Sequence, residues 1–178
     1  MRNVVVYELL SVDGVAEAPD KFFGWDAALD PNLARVIATQ DAVVLGRRTH
    51  DEWADFWPAS DIEPFETFIN AVRKYVATST DLDRNWTNTT AIDQPLVDFV
   101  RALKEAPGGD IGVHGSLSVA QTLLAAGVVD ELKLVIAPVT VGRGRHLFDG
   151  VPPLSLELLR SESVPSGYLI LHYRVVRR

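Results

Sequence analysis

A run of ten residues, Val43-Val44-Leu45-Gly46-Arg47-Arg48-Thr49-His50-Asp51-Glu52, constrains this chain more than any other. Its apolar half reads as a buried strand, and the strand breaks at Gly46 directly into a helix. Thr49 is placed to cap that helix, and Glu52, three residues on, to close a capping box. Gly46 permits a tight turn and the close approach of a ligand. The free N–H groups of a helix start, with Arg47 and Arg48 beside them, favour an anionic group. Strand, glycine, guanidinium and helix start together point to a phosphorylated nucleotide.

The flanking sequence sets this unit in an alternation of strands and helices. Residues 3–10 are rich in Val and Leu and read as a central strand. An irregular stretch follows to Trp25, and a loop of that length in a compact domain is often functional. Asp30 is expected to cap a helix with Pro31 at its first position, and Leu33, Val36 and Ile37 recur at helical spacing. Residues 42–46 form the next strand, and 49–72 read as helical pieces broken at Pro58 and Pro64. Residues 74–78 are a short strand running into polar Ser79 and Thr80, and 86–92 are extended. A helix over 96–103 ends at Pro107-Gly108-Gly109. The strand Ile111-Gly112-Val113 leads through His114-Gly115-Ser116 into a helix with a Ser118/Gln121 capping box, closed by Gly127. Residues 131–137 alternate as a strand, and 154–160 with 168–176 suggest a closing antiparallel pair. The pattern predicts one α/β domain over 1–178 with a β-rich end.

Composition narrows the function classes. The 178 residues suffice for one substantial core. No apolar run approaches a bilayer span and no signal-peptide pattern opens the chain, so no membrane partner is expected. With no cysteine, disulfides, thiolate metal sites and cysteine nucleophiles are excluded, and a cytoplasmic location is expected. A net charge of −7 argues against nucleic acid as a partner. No metal site is expected.

Four segments in order then resemble the dihydrofolate-reductase-like superfamily. They are Ser11-Val12-Asp13-Gly14, Leu45-Gly46-Arg47-Arg48-Thr49, Val76-Ala77-Thr78-Ser79-Thr80, and the block from Gly112 to Phe148. That block holds His114-Gly115-Ser116, Gly127-Val128-Val129-Asp130-Glu131-Leu132, Ala137-Pro138-Val139 and Gly142-Arg143-Gly144. The match is nearest the reductase domain of the riboflavin-biosynthesis deaminase-reductase and its stand-alone relatives. Gly115-Ser116 after His114, in place of two consecutive glycines, is a pattern of the stand-alone relatives. The deaminase half's zinc signature is absent.

The resemblance implies a three-layer α/β fold, with helices on both faces of a mixed, mostly parallel sheet and a β-rich C-terminus. It implies NADPH as cofactor and a homodimer, whose interface the apolar closing strands would supply. Arg47 and Arg48 would hold the 2′-phosphate, and backbone N–H groups from Gly46 to Thr49 the pyrophosphate. Thr78, Ser79 and Thr80 would lie along the adenosine. Gly115, Ser116 and Leu117 would support the diphosphate near the nicotinamide. Asp30, five residues after Trp25 and sixteen before Gly46, matches the spacing of the pterin-binding carboxylate and is the catalytic candidate. Asp26 and Asp13 compete for the substrate role, and Phe22, Phe23 and Trp25 would line its pocket. The loop over 11–25 would close as a lid.

Each of these residues also has a plainer reading. Asp30 before Pro31 reads as a helix cap, Asp13-Gly14 as a turn and Thr78-Ser79-Thr80 as a polar bend. His114 reads as a packed, hydrogen-bonded histidine and His50 as solvent-facing. Arg143, Arg145 and His146 form a basic cluster, either a solvated turn or a dock for a substrate phosphate. Two substrates compete under the resemblance, a phosphoribosylamino-pyrimidine and a pterin, beside a more general NADPH-dependent reductase activity. The alternatives from other classes are a non-catalytic NADP-binding module and an interaction protein using the aromatic 53–68 segment.

Overall fold

The chain folds around one eight-stranded sheet, and the computed structural model describes residues 1–176. The strands are β1 (Val4–Leu10), β2 (Gln40–Gly46), β3 (Arg73–Ala77), β4 (Thr89–Ile92), β5 (Asp110–His114), β6 (Glu131–Ile136), β7 (Ser155–Ser163) and β8 (Leu169–Val176). Their spatial order is β4-β3-β2-β5-β1-β6-β8-β7. The first six run parallel, and β8 and β7 close the sheet antiparallel. The expected mixed, mostly parallel α/β fold with a β-rich end is the observed one.

The helices are α1 (Asp30–Ile37), α2 (Arg47–Phe56), α3 (Phe65–Ala71), α4 (Leu96–Glu105) and α5 (Leu117–Ala125). Alternation along the strands sends side chains into two cores. On one face Val4, Val6, Val44 and Val113 meet Val100 of α4 and Ala120 and Leu123 of α5. On the other face Tyr7, Val43 and Leu45 meet Leu33 of α1, Phe65 and Ile69 of α3, and Trp53 of α2. Central parallel strands covered on both faces are apolar throughout, which is why Val43-Val44-Leu45 lacks alternation.

Gly127 ends α5 as expected: it takes φ +65° and returns its N–H to Leu124 O. Three expected caps do not form. Asp30 is already helical, and Asp26 does the capping one short 3-10 turn earlier, accepting from Ala28 N at 2.8 Å. At α2 the helix begins at Arg47, so Thr49 lies inside the first turn and Glu52 pairs with Arg48. In α5 the helix begins at Leu117, and Ser118 and Gln121 both receive Arg145 instead.

Buried charge is the other departure. His50 is fully buried, not solvent-facing, its Nδ1 lying 2.9 Å from Asp51 Oδ1. Lys74 is wholly buried, with Nζ donating to Ile69 O at 2.8 Å and Val72 O at 2.9 Å, 4.5 Å from the Trp86 ring centre. It satisfies carbonyls that the end of α3 leaves open. Glu8 sits on the α4/α5 face of β1 between Val6 and Leu10, 3% exposed, and its Oε1 has no hydrogen-bond partner. Burial pushes its carboxyl up to about 8.

Candidate nucleotide-binding site

Adjacent strands β2 and β5 send their following helices to opposite faces of the sheet: α2 packs against one core and α5 against the other. The crevice at the carboxyl ends of such a strand pair is where open α/β sheets receive ligands. Gly46, Arg47 and Thr49 lie on one lip, and Gly115, Ser116 and Leu117 on the other. The β2–β3 register pairs Gly46 with Ala77, which sets Thr78 beside Arg47.

The lips are braced across the crevice. Ser116 Oγ accepts from Gly46 N at 3.0 Å, and Thr49 Oγ1 donates to Gly115 O at 3.0 Å. Neither α2 nor α5 has a side chain capping its start. First-turn N–H groups of two helices therefore face the same crevice without an internal acceptor, a donor set that fits a diphosphate. Gly46 keeps an ordinary extended backbone (φ −81°), so the tight turn expected of it is absent. Gly115 is the constrained glycine. It takes φ +60°, and a Cβ there would lie 2.8 Å from Trp53 Cζ2.

Arg47 gathers the segment that follows β3. Its Nε donates to Asp51 Oδ2 at 2.7 Å, and Nη1 to Thr80 Oγ1 at 2.7 Å, to Asp81 O at 2.5 Å and to Thr78 Oγ1 at 3.4 Å. Its Nη2 donates to Asp83 Oδ2 at 2.7 Å. Bonding to Asp51, foremost, holds the guanidinium above its ordinary pKa. Thr78 and Thr80 are thus brought to Arg47, and Ser79 lies exposed between them. Arg48 turns outward, with a side chain 86% exposed and Glu52 3.6 Å away. Asp83 escaped the sequence reading, although the β2–β3 register makes the segment after Thr80 a neighbour of Arg47.

In the connection between β1 and α1, Trp25 Nε1 donates to Asp30 Oδ1 at 2.7 Å. The two residues singled out by spacing do meet. Phe23 is buried against Tyr168, ring centres 5.0 Å apart, and so contributes to the core. Asp13 spends its carboxylate on the fold: it accepts from Ser11 Oγ at 2.6 Å, Val141 N at 3.0 Å and Gly142 N at 2.7 Å. Those bonds, Ser11 first, hold it far below the usual carboxylate range. The loop after β1 is pinned further along by Tyr168 Oη on Gly24 O at 2.5 Å and by Ser166 on Asp26. The expected lid is fastened at both ends.

His114 ends β5 as the packed histidine that was expected. Its Nε2 lies 2.8 Å from Gln40 Oε1, and burial, with Lys133 adding, pulls its pKa down to about 3. Arg145 of the basic cluster is spent on Ser118 and Gln121. A surface hollow of about 620 Å³ opens at the amino ends of β2 and β3, among Arg2, Gln40, Asp41, Phe68, Arg73 and Tyr75. None of the expected residues lines it, and Asp41 and Gly109 O occupy Arg2. No helix among the described residues is long and apolar enough to cross a membrane.

The fold and the crevice define an open α/β protein with two braced, uncapped helix starts at its switch point. The sequence places it more closely: the profile of the RibD C-terminal domain matches residues 2–170, and the chain belongs to that family. YyaP of Bacillus subtilis is 26% identical over 181 residues, 97% of this chain and 94% of YyaP. YwjB of the same organism is 24% identical over 151 residues, 83% of each. Among solved structures, a Shewanella protein provisionally assigned to riboflavin biosynthesis superposes with a TM-score of 0.79 at 21% identity, covering 98% of this chain and 99% of that one. The Thermotoga maritima diaminohydroxyphosphoribosylaminopyrimidine deaminase and phosphoribosylaminouracil reductase superposes with a TM-score of 0.72 at 16% identity. There the match covers 98% of this chain and 57% of the larger protein. These likenesses establish the dihydrofolate-reductase-like reductase-domain fold.

Proposed function

We propose that this chain is an NADPH-dependent reductase acting on a small heterocyclic or sugar-linked substrate, most nearly of the phosphoribosylaminouracil type. The observation that carries the reading is the meeting of two uncapped helix starts and Arg47 at the β2/β5 switch point. The family and the reductase among the solved relatives support it. The dihydronicotinamide would supply the hydride; the protein's part is to bind, orient and exclude water. Backbone N–H groups of Arg47 to Thr49, with those of Gly115 to Leu117, would hold the diphosphate, and Gly46, its N–H held by Ser116, would let it approach closely. Arg47 would take the 2′-phosphate through its planar fork, with Thr78, Ser79 and Thr80 along the adenosine. Arg48, in its outward position, would add only long-range attraction.

Titrating the wild-type chain with NADPH by fluorescence, then screening acceptors for loss of reduced-cofactor absorbance, tests the reading. Binding with acceptor-dependent oxidation supports it. Binding without oxidation by any acceptor makes the chain a nucleotide holder, and no binding of NADPH or NADH reduces the motif to scaffold.

The Trp25–Asp30 contact favours a second reading, in which Asp30 receives a pterin or related ring. Under either substrate, Asp30→Asn is expected to lower kcat by about a hundredfold, the scale of a lost acid–base group, while NADPH affinity changes by less than about twofold. Turnover equal to wild type would remove Asp30 from the reaction.

We further propose a homodimer joined through the closing strands. β7 is an edge strand with Leu156, Leu158 and Leu159 exposed, beside Leu169 and Val176 of β8. Such an edge is ordinarily covered. Sedimentation equilibrium is expected to give twice the chain mass and Leu158→Lys to shift it toward one; a wild-type monomer would overturn the assignment.

A further inference from the structure

We propose that Asp83 sets the choice between a 2′-phosphate and a 2′-hydroxyl at the adenosine end of the site. This rests on the nucleotide reading above. Arg47 carries one positive charge and faces two carboxylates, Asp51 at Nε and Asp83 at Nη2, each at 2.7 Å. Arg48 does not redress the balance, since its own partner is Glu52 at 3.6 Å and it faces solvent. The corner therefore holds a surplus of negative charge. A 2′-phosphate brought to Arg47 would add nearly two more.

The two carboxylates are not equally held. Asp51 lies one turn along the same helix, is also in contact with His50 Nδ1, and its side chain is 34% exposed. Asp83 stands on the connection between β3 and β4 with a side chain 74% exposed, and Arg47 supplies its ion pair. One of its oxygens lies at hydrogen-bond distance from the outer edge of the guanidinium, where a phosphate oxygen would bind. It is an internal substitute for the phosphate. NADPH must displace Asp83 and then tolerate it nearby, whereas a ribose with a free 2′-hydroxyl can donate to the carboxylate where it stands.

The wild-type chain should accordingly favour NADPH over NADH only weakly, and the preference should grow when Asp83 is removed. Fluorescence titrations with NADPH and with NADH, on wild type, Asp83→Ala and Asp81→Ala at low ionic strength, test this. Asp81 meets Arg47 through its backbone carbonyl, so Asp81→Ala removes the same charge from the same loop while leaving the Asp83 contact intact. Asp83→Ala is expected to tighten NADPH about tenfold, on the scale of one like charge a few ångströms from a phosphate. NADH should be unchanged or weaker, and Asp81→Ala should move the ratio by less than about twofold. An unchanged NADPH/NADH ratio in Asp83→Ala, or an equal change in Asp81→Ala, overturns the role of Asp83 while the site itself stands. Failure of wild type to bind either nucleotide overturns the site and this inference with it.

Discussion

Arg47→Ala is expected to weaken NADPH binding by about tenfold to a hundredfold and NADH binding far less, because the proposed charge-assisted contact to the 2′-phosphate would be lost. The loss exceeds that of one surface charge. Removing the guanidinium would leave Asp51 and Asp83 facing a bound phosphate unopposed, and releases the bonds to Thr78, Thr80 and Asp81 O that hold the segment after β3. Arg47→Lys should fall between the two, keeping the charge but losing the fork. Parallel titrations of the three proteins with both nucleotides check this. NADPH affinity undisturbed in Arg47→Ala would detach the phosphate from this corner.

The second large effect concerns Glu8 and stability. Its ordinary pKa of 4.5 is raised to about 8 in the folded protein by burial. Between those values the folded chain keeps a proton that the unfolded chain has released, so stability falls as pH rises, and the fall is complete once the pH has passed about 8. The span between the two values corresponds to a loss of about 5 kcal/mol. His114 works the other way at lower pH. Its pKa drops from 6.5 to about 3, so its contribution is lost as pH falls below 6.5. The Glu8 slope therefore stands clear of His114 between pH 6.5 and about 8. Across that window wild type is expected to lose about 2 kcal/mol, and Glu8→Gln, which keeps the shape without the titration, to stay level. Urea unfolding at the two ends of the window, for both proteins, measures the difference. Identical slopes would mean that Glu8 is ionised in the fold.

What was legible in the sequence follows from what repeats along it. Strand cores such as Val4-Val5-Val6 and Val43-Val44-Leu45, the helix stripe of Leu33, Val36 and Ile37, and Gly127 as a stop all carry local signals, and the elements stand where those signals put them. The crevice residues were also reachable, since Gly46, Arg47, Thr78 and Gly115 lie at the ends of adjacent parallel strands. The misses are of another kind. Asp26 rather than Asp30 caps because a 3-10 turn precedes α1, and nothing in the local pattern distinguishes two aspartates four residues apart. Thr49 looks like a cap but is used across the crevice, on Gly115 O, a partner 66 residues away. His50, Lys74 and Glu8 are polar by type and buried by topology, which only the assembled sheet and its covering helices decide. Asp83 lay outside every motif, since its role comes from Arg47 and not from its own neighbours in the chain.

The two bonds that brace α2 against α5 carry a consequence for the energetics of ligand capture. Ser116 on Gly46 and Thr49 on Gly115 fix the spacing of the two helix starts before any ligand arrives. The central part of a dinucleotide would then dock on a preorganised gauge, with little ordering entropy to lose. Reorganisation is concentrated instead at the Arg47 end, where an internal ion pair must open. Association at the middle can thus be fast and insensitive to which nucleotide arrives, while discrimination is exercised afterwards, in how long each one stays.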